Sequence, residues 1–184
     1  MLPFREVPQL NDLWEDLPKF ANQLQLMAKQ LDVSLTAYVI DHISVRCHYL
    51  ETAQRWHEGL LQCGQIISDN IINGRPIRLY ELSQPLQIAG QSVFIVELPF
   101  PKDKKYPQES WEHIEMVINV PPAELEKTAR ALLPNPLPIG FNVKVSQPKG
   151  QQERLPNPTL AVSNGKITVK YHPFTLKKII ESEK

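Results

Sequence analysis

Apolar positions along the chain keep two rhythms. Phe20, Leu24, Met27 and Leu31 recur at spacings of four, three and four, which places them on one face of a helix. Leu13, Trp14 and Leu17 predict a shorter helix before it, with Pro18 in the first turn of the longer one. Residues 1–36 carry no catalytic constellation and read as a helical cover packed on the remainder of the chain. From Asp41 the rhythm becomes strict alternation, with Ile43 and Val45 to one side and His42, Ser44 and Arg46 to the other. Residues 52–63 return to a helical pattern, with Thr52 as N-cap, Trp56 and Leu60 on one face and Gly64 at the stop. Strands are expected at 65–72, 76–82 and 91–98, and Asn73-Gly74 joins the first two as a hairpin turn. Residues 37–98 thus read as one βαβββ module.

Residues 99–110, rich in proline and lysine, break the strand pattern and read as a linker. The order then repeats over 111–184. A strand is expected at 111–119, followed by a helix that Pro121-Pro122 opens and Pro134 ends. A strand at 139–145 and a hairpin of 159–162 with 166–171 precede a short helix after Thr175. Between them lies a polar loop, 146–158, of a length that suits a lid or a binding loop. His113 follows His42 by 71 residues, and Lys170 follows Glu97 by 73, so the first and last strands of the two units repeat nearly in step.

Composition narrows the possibilities without choosing among them. The 184 residues suffice for one large domain or two modules sharing a core. Twenty Lys+Arg balance twenty Asp+Glu, so no net field draws the chain to nucleic acid or to an acidic membrane surface. No apolar run approaches the roughly 20 residues of a spanning helix, and no secretory signal is visible. Cys47 and Cys63 are too few for a disulfide framework and read as reduced thiols, as in a cytoplasmic protein.

The chemistry collects on the polar side of the alternating strands. Asp41-His42 is echoed by Glu112-His113, an acid before a histidine that begins each alternation. If the two units face each other, His42, His113 and Glu97 converge. Two imidazoles and a carboxylate suit Mn, Fe, Ni or Zn, with positions left for water or substrate. The same parity brings in Glu115, Thr168, Lys170 and His172. Among Arg46, Arg75 and Arg154, each able to clamp a carboxylate or phosphate, only Arg46 has inward parity and reads as a substrate-binding residue. His48 and His57 have no counterpart in the repeat and read as surface residues.

The runs DHISVRCH, INGRPI, VELPFP, YPQESWEHIE, ERLPNPTLAV and ITVKYHPF closely resemble the bacterial YecM family. That family is similar to the vicinal oxygen chelate superfamily of glyoxalase I, extradiol dioxygenases and methylmalonyl-CoA epimerase. The resemblance covers about residue 10 to the C-terminus. It implies an α+β fold of paired βαβββ modules, forming a U-shaped mixed-sheet cavity around a divalent metal. It also implies ligands from the first and fourth strands of each module, here His42, Glu97, His113 and Lys170. Lys170 departs from the superfamily pattern, which often has Glu there. His172 or Glu115 then supplies the fourth ligand, or Lys170 holds an anionic group of the ligand. The expectation is a cytoplasmic metal-binding protein acting on a small molecule with two adjacent oxygens, by isomerase, epimerase or oxygenase chemistry, with Glu115 as the candidate base. The competing expectation is a non-catalytic small-ligand-binding module with the same fold and no metal.

Overall fold

The computed structural model describes residues 1–147 and 155–183. Two short 3₁₀ turns, Phe4–Glu6 and Pro8–Leu10, lead into α1, Asn11–Leu31. This is one helix, where the sequence predicts two. The stripe Leu13, Leu17, Phe20, Leu24, Met27 and Leu31 is buried from end to end. Pro18 lies inside the helix and forgoes a backbone bond, a cost of about 3 kcal/mol. Burying Leu13 and Leu17 at about 1.5–3 kcal/mol each is enough to carry the helix through it.

β1, Val39–Arg46, is followed by α2, Leu50–Cys63, and by β2, Gly64–Ile72, β3, Arg75–Ile88, and β4, Gln91–Pro99. α2 starts at Leu50 with no side-chain cap, two residues ahead of the expected Thr52. β3 runs beyond 82 to Ile88, because its pairing with β4 skips from Glu81 to Leu86. Pro85, which cannot donate to a ladder, falls within that gap. The second unit is β5, Ser110–Val117, then α3, Leu125–Leu132, β6, Asn142–Ser146, β7, Thr159–Ser163, and β8, Thr168–His172. α4, Leu176–Ser182, closes the described chain. β6 starts at Asn142 rather than 139, after a turn in which Gly140 has φ +91°. The loop expected to act as a lid lies mostly outside the described residues, as does Arg154.

The eight strands of the described residues form one sheet, ordered β2-β3-β4-β1-β5-β8-β7-β6. β1 and β5 meet antiparallel at its centre, and each has the last strand of its own unit parallel on its outer side. Ile43 pairs with Ile114, Ser44 with Glu97, and Glu115 with Lys170. His42 and His113 therefore occupy equivalent places about a local two-fold, as do Glu97 and Lys170.

One face of the sheet is apolar. Ile43, Val45, Val96, Ile114, Met116 and Val169 join α1, α2 and α3 in the main core. Trp111 ties β5 to α1 by donating its indole N–H to the Leu13 carbonyl at 2.8 Å. α4 lies on the other face, where Leu176 and Ile179 pack on Leu79 and Ile95. The α2–β2 corner is tight. A Cβ on Gly64, whose backbone is ordinary extended chain, would stand 2.6 Å from the Glu81 carbonyl oxygen. Gly64→Ala is therefore expected to cost about 1–3 kcal/mol, read as a lowered urea midpoint. An unchanged midpoint would mean that β2 and β3 can separate there freely.

Candidate metal centre

The polar side of the alternating strands is not a solvent face. His42, Ser44 and His113 are fully buried, and Arg46 and Glu115 nearly so. Two β-bulges explain how acids that should alternate away join their histidines. The β1–β5 register steps from Ile40 to His42, leaving Asp41 unpaired, and on the partner strand it skips Glu112. An extra residue in one strand re-aims its side chain. Asp41 thus accepts from His42 Nδ1 at 3.0 Å, and Glu112 from His113 Nδ1 at 2.5 Å. Both acids are held in turn. The Leu176 N–H at the start of α4 donates to Asp41 at 3.0 Å, and Thr168 Oγ1 donates to Glu112 at 2.8 Å.

With both Nδ1 atoms engaged, both Nε2 atoms point at the same two carboxylates. Glu115 lies 3.2 Å from His42 Nε2 and 3.8 Å from His113 Nε2. Glu97 lies 3.9 Å and 3.6 Å from the same atoms. Ser44 Oγ donates to Glu97 at 2.7 Å and fixes its carboxylate. Among the described residues neither Nε2 atom has a hydrogen-bond partner, although each is buried. His42, His113 and Glu115 offer three ligand atoms within 4.8 Å of one another.

The remaining expected residues line the same space in different ways. Lys170 brings its ammonium to 3.9 Å from Glu115. His172, fully buried, stands 3.4 Å from Glu115 and 3.7 Å from Asp41, with neither ring nitrogen hydrogen-bonded among the described residues. Arg46 approaches Glu112 at 3.9 Å. His48 and His57, expected at the surface, are half-buried instead. His48 Nε2 bonds the Tyr106 carbonyl at 2.7 Å, and His57 Nδ1 bonds the Tyr80 hydroxyl at 2.6 Å. Both are structural links that the alternation pattern does not reveal.

The two central histidines differ electrostatically. Burial opposes a charge on His42, but Glu115, the Asp41 hydrogen bond and Glu97 together raise it to about 9. Burial and the Lys170 charge hold His113 down at about 4, against the pull of Glu112. Burial works against ionising Glu97 and Glu115, yet the surrounding imidazoles and Lys170 keep both carboxyls below the usual range. Asp41 and Glu112 are lowered as well, against burial, chiefly by the histidines they hold.

Sequence reasoning gives Asp41 and Glu112 no role in the site. Their signal is the repeated acid–histidine pair, and strict alternation conceals it by assigning acid and histidine to opposite faces.

The family model described as YecM protein matches residues 9–183. Protein YecM of Escherichia coli (strain K12) is 47% identical over 186 residues, spanning 100% of this chain and 98% of its own. An uncharacterized protein of Haemophilus influenzae is 43% identical over 182 residues, 95% of each chain. The solved structural-genomics protein EC4020 superimposes with a TM-score of 0.94 and 44% identity, over 100% of this chain and 98% of that one. A Streptomyces coelicolor methylmalonyl-CoA epimerase, in complex with 2-nitronate-propionyl-CoA, aligns over 73% of this chain and 93% of that one, with a TM-score of 0.46 and 13% identity. By the extent of the family match and of the two curated relatives, the chain belongs to the YecM family.

Proposed function

We propose that the protein binds one divalent metal through His42, His113, Glu97 and Glu115 and presents it to a small oxygen-rich molecule. The observation that carries this reading is the pair of buried, unpartnered Nε2 atoms facing the same two carboxylates. Buried nitrogens left without a partner cost free energy, and a cation supplies what the protein withholds. The acids behind them fit too, since metal-bound histidines commonly hand their other N–H to a carboxylate. Charge supports the same reading. Among the described residues, Arg46 and Lys170 are the fixed cations beside Asp41, Glu97, Glu112 and Glu115, and the acids stay in excess even with His42 protonated.

The donor set of two imidazoles and carboxylates suits Mn, Fe, Ni or Zn. When bound, such a metal supplies Lewis acidity to a substrate taken through two adjacent oxygens. Isomerase, epimerase or oxygenase chemistry is the class we assign. Lys170, beside Glu115, holds an anionic oxygen of the substrate rather than the metal. Glu115 is a ligand in this arrangement rather than a free base. His172 completes the wall between Glu115 and Asp41. We assign the protein to the cytoplasm because Cys47 and Cys63 are both buried and unpaired.

The test is elemental mass spectrometry on protein purified without a metal-chelating tag. About one equivalent of a transition metal is expected, and it should be lost in His113→Ala with the circular dichroism spectrum unchanged. Protein that takes up none of the four metals would instead favour a metal-free ligand-binding module. In that case the 3.2 Å His42–Glu115 contact is an ion pair in its own right.

A further inference from the structure

The buried, unpartnered nitrogens around this site are of two kinds. His42 Nε2 and His113 Nε2 face carboxylates and, once free of protons, offer their lone pairs to a cation. Arg46 Nε is also buried without a hydrogen-bond partner among the described residues, but it is an N–H that can only donate. Its side chain is 9% exposed. The acid beside it does not satisfy it. Glu112 stands 3.9 Å away and already accepts from His113 through one oxygen and from Thr168 through the other. Buried donors are nearly always paired, so this one marks the place of an acceptor.

The surroundings are built for a negatively charged one. The Arg46 guanidinium lies over the Tyr106 ring at 4.8 Å, and the Lys104 ammonium approaches the same ring at 5.1 Å. Burial works against ionising the Tyr106 hydroxyl, yet Arg46, Arg75 and Lys104 bring it below its ordinary value. Tyr106 is fixed from behind, because His48 bonds its carbonyl at 2.7 Å and the His48 N–H bonds Glu109 at 2.9 Å. Arg46 is two residues beyond Ser44 on β1, and Ser44 pairs with both Glu97 and His113. Two strand residues span about 7 Å.

We infer that Arg46, with Arg75 and Tyr106, forms an oxyanion subsite about 7 Å along β1 from the level of Glu97 and His113, so that the ligand of this site carries a carboxylate or phosphate at its far end. This rests on the proposed metal reading only for what occupies the near end. The ligand is then a short anionic molecule, with its vicinal oxygens towards His42 and His113 and its acid group on Arg46. A guanidinium forks onto two oxygens of either acid.

The experiment tracks the Arg46 side-chain Nε–Hε signal by NMR, assigned with Arg46→Gln, while inorganic phosphate or succinate is titrated into the full chain. One of the two anions should shift the signal saturably, and which one does so separates phosphate from carboxylate. Arg75→Gln, at a half-exposed position, should weaken that binding about tenfold and leave the metal content unchanged. The shift should persist in metal-free His42→Ala protein. No saturable shift with either anion would overturn the subsite, and so would indifference to Arg75→Gln. A response that disappears in His42→Ala would place the anion on the metal and also overturn it. Metal retained in His42→Ala would count against the metal assignment alone.

Discussion

Alanine at His42 should cost the protein about 10²–10³-fold in metal affinity, and asparagine at Asp41 a smaller factor of about 10–100. The first figure comes from dividing roughly 10–16 kcal/mol of structural-site binding among four ligands, about 2.5–4 kcal/mol each. The second is the usual effect of removing a carboxylate that orients a ligating imidazole. Asparagine keeps the shape of Asp41 and an oxygen for the Leu176 N–H, but it offers His42 Nδ1 no charge. Competition with a coloured chelator measures both constants. Equal losses would show that Asp41 is itself a ligand, alongside His42 and His172. Wild-type affinity in His42→Ala would sink the centre as drawn.

The second large effect concerns packing. Trp111→Ala should destabilise the fold by about 3–5 kcal/mol. Its ring is fully buried, lies 6.0 Å from the Phe4 ring, and donates to the Leu13 carbonyl. Removing it empties a large volume between β5 and α1 and loses the indole hydrogen bond to that carbonyl. The loss should appear as a lower urea midpoint, with metal stoichiometry at saturation unchanged, because Trp111 faces away from the ligands. A loss under about 1 kcal/mol would mean that α1 settles onto the gap more completely than core side chains usually allow.

Much of this architecture is legible in the chain because the two periods are physical. Alternation at 41–47 and 111–117 marks the central strands, and the offsets of 71 and 73 residues reappear as equivalent registers about Ile43 and Ile114. Other features depend on contacts that no local pattern contains. Pro18 argues for a break in α1, yet the apolar stripe on both sides of it is buried as one face. The bulges at Asp41 and Glu112 are register events between strands about seventy residues apart, so alternation read on either strand alone assigns those acids to the wrong side. The cover on the polar side of Leu79 and Ile95 is hidden for the same reason. α4 reaches them from the far end of the chain, and its amphipathic pattern spans only seven residues.

The two bulges bear on the order of assembly. Each acid is the immediate sequence neighbour of the histidine it holds, so aiming the imidazole closes no loop and costs little chain entropy. Only the meeting of β1 with β5 is non-local, and non-local pairing is the slow part of folding. Because both bulges are register events of β1 against β5, the acids take hold of their histidines as that seam forms, with no further loop to close. A metal ion arriving afterwards then has little side-chain freedom left to freeze.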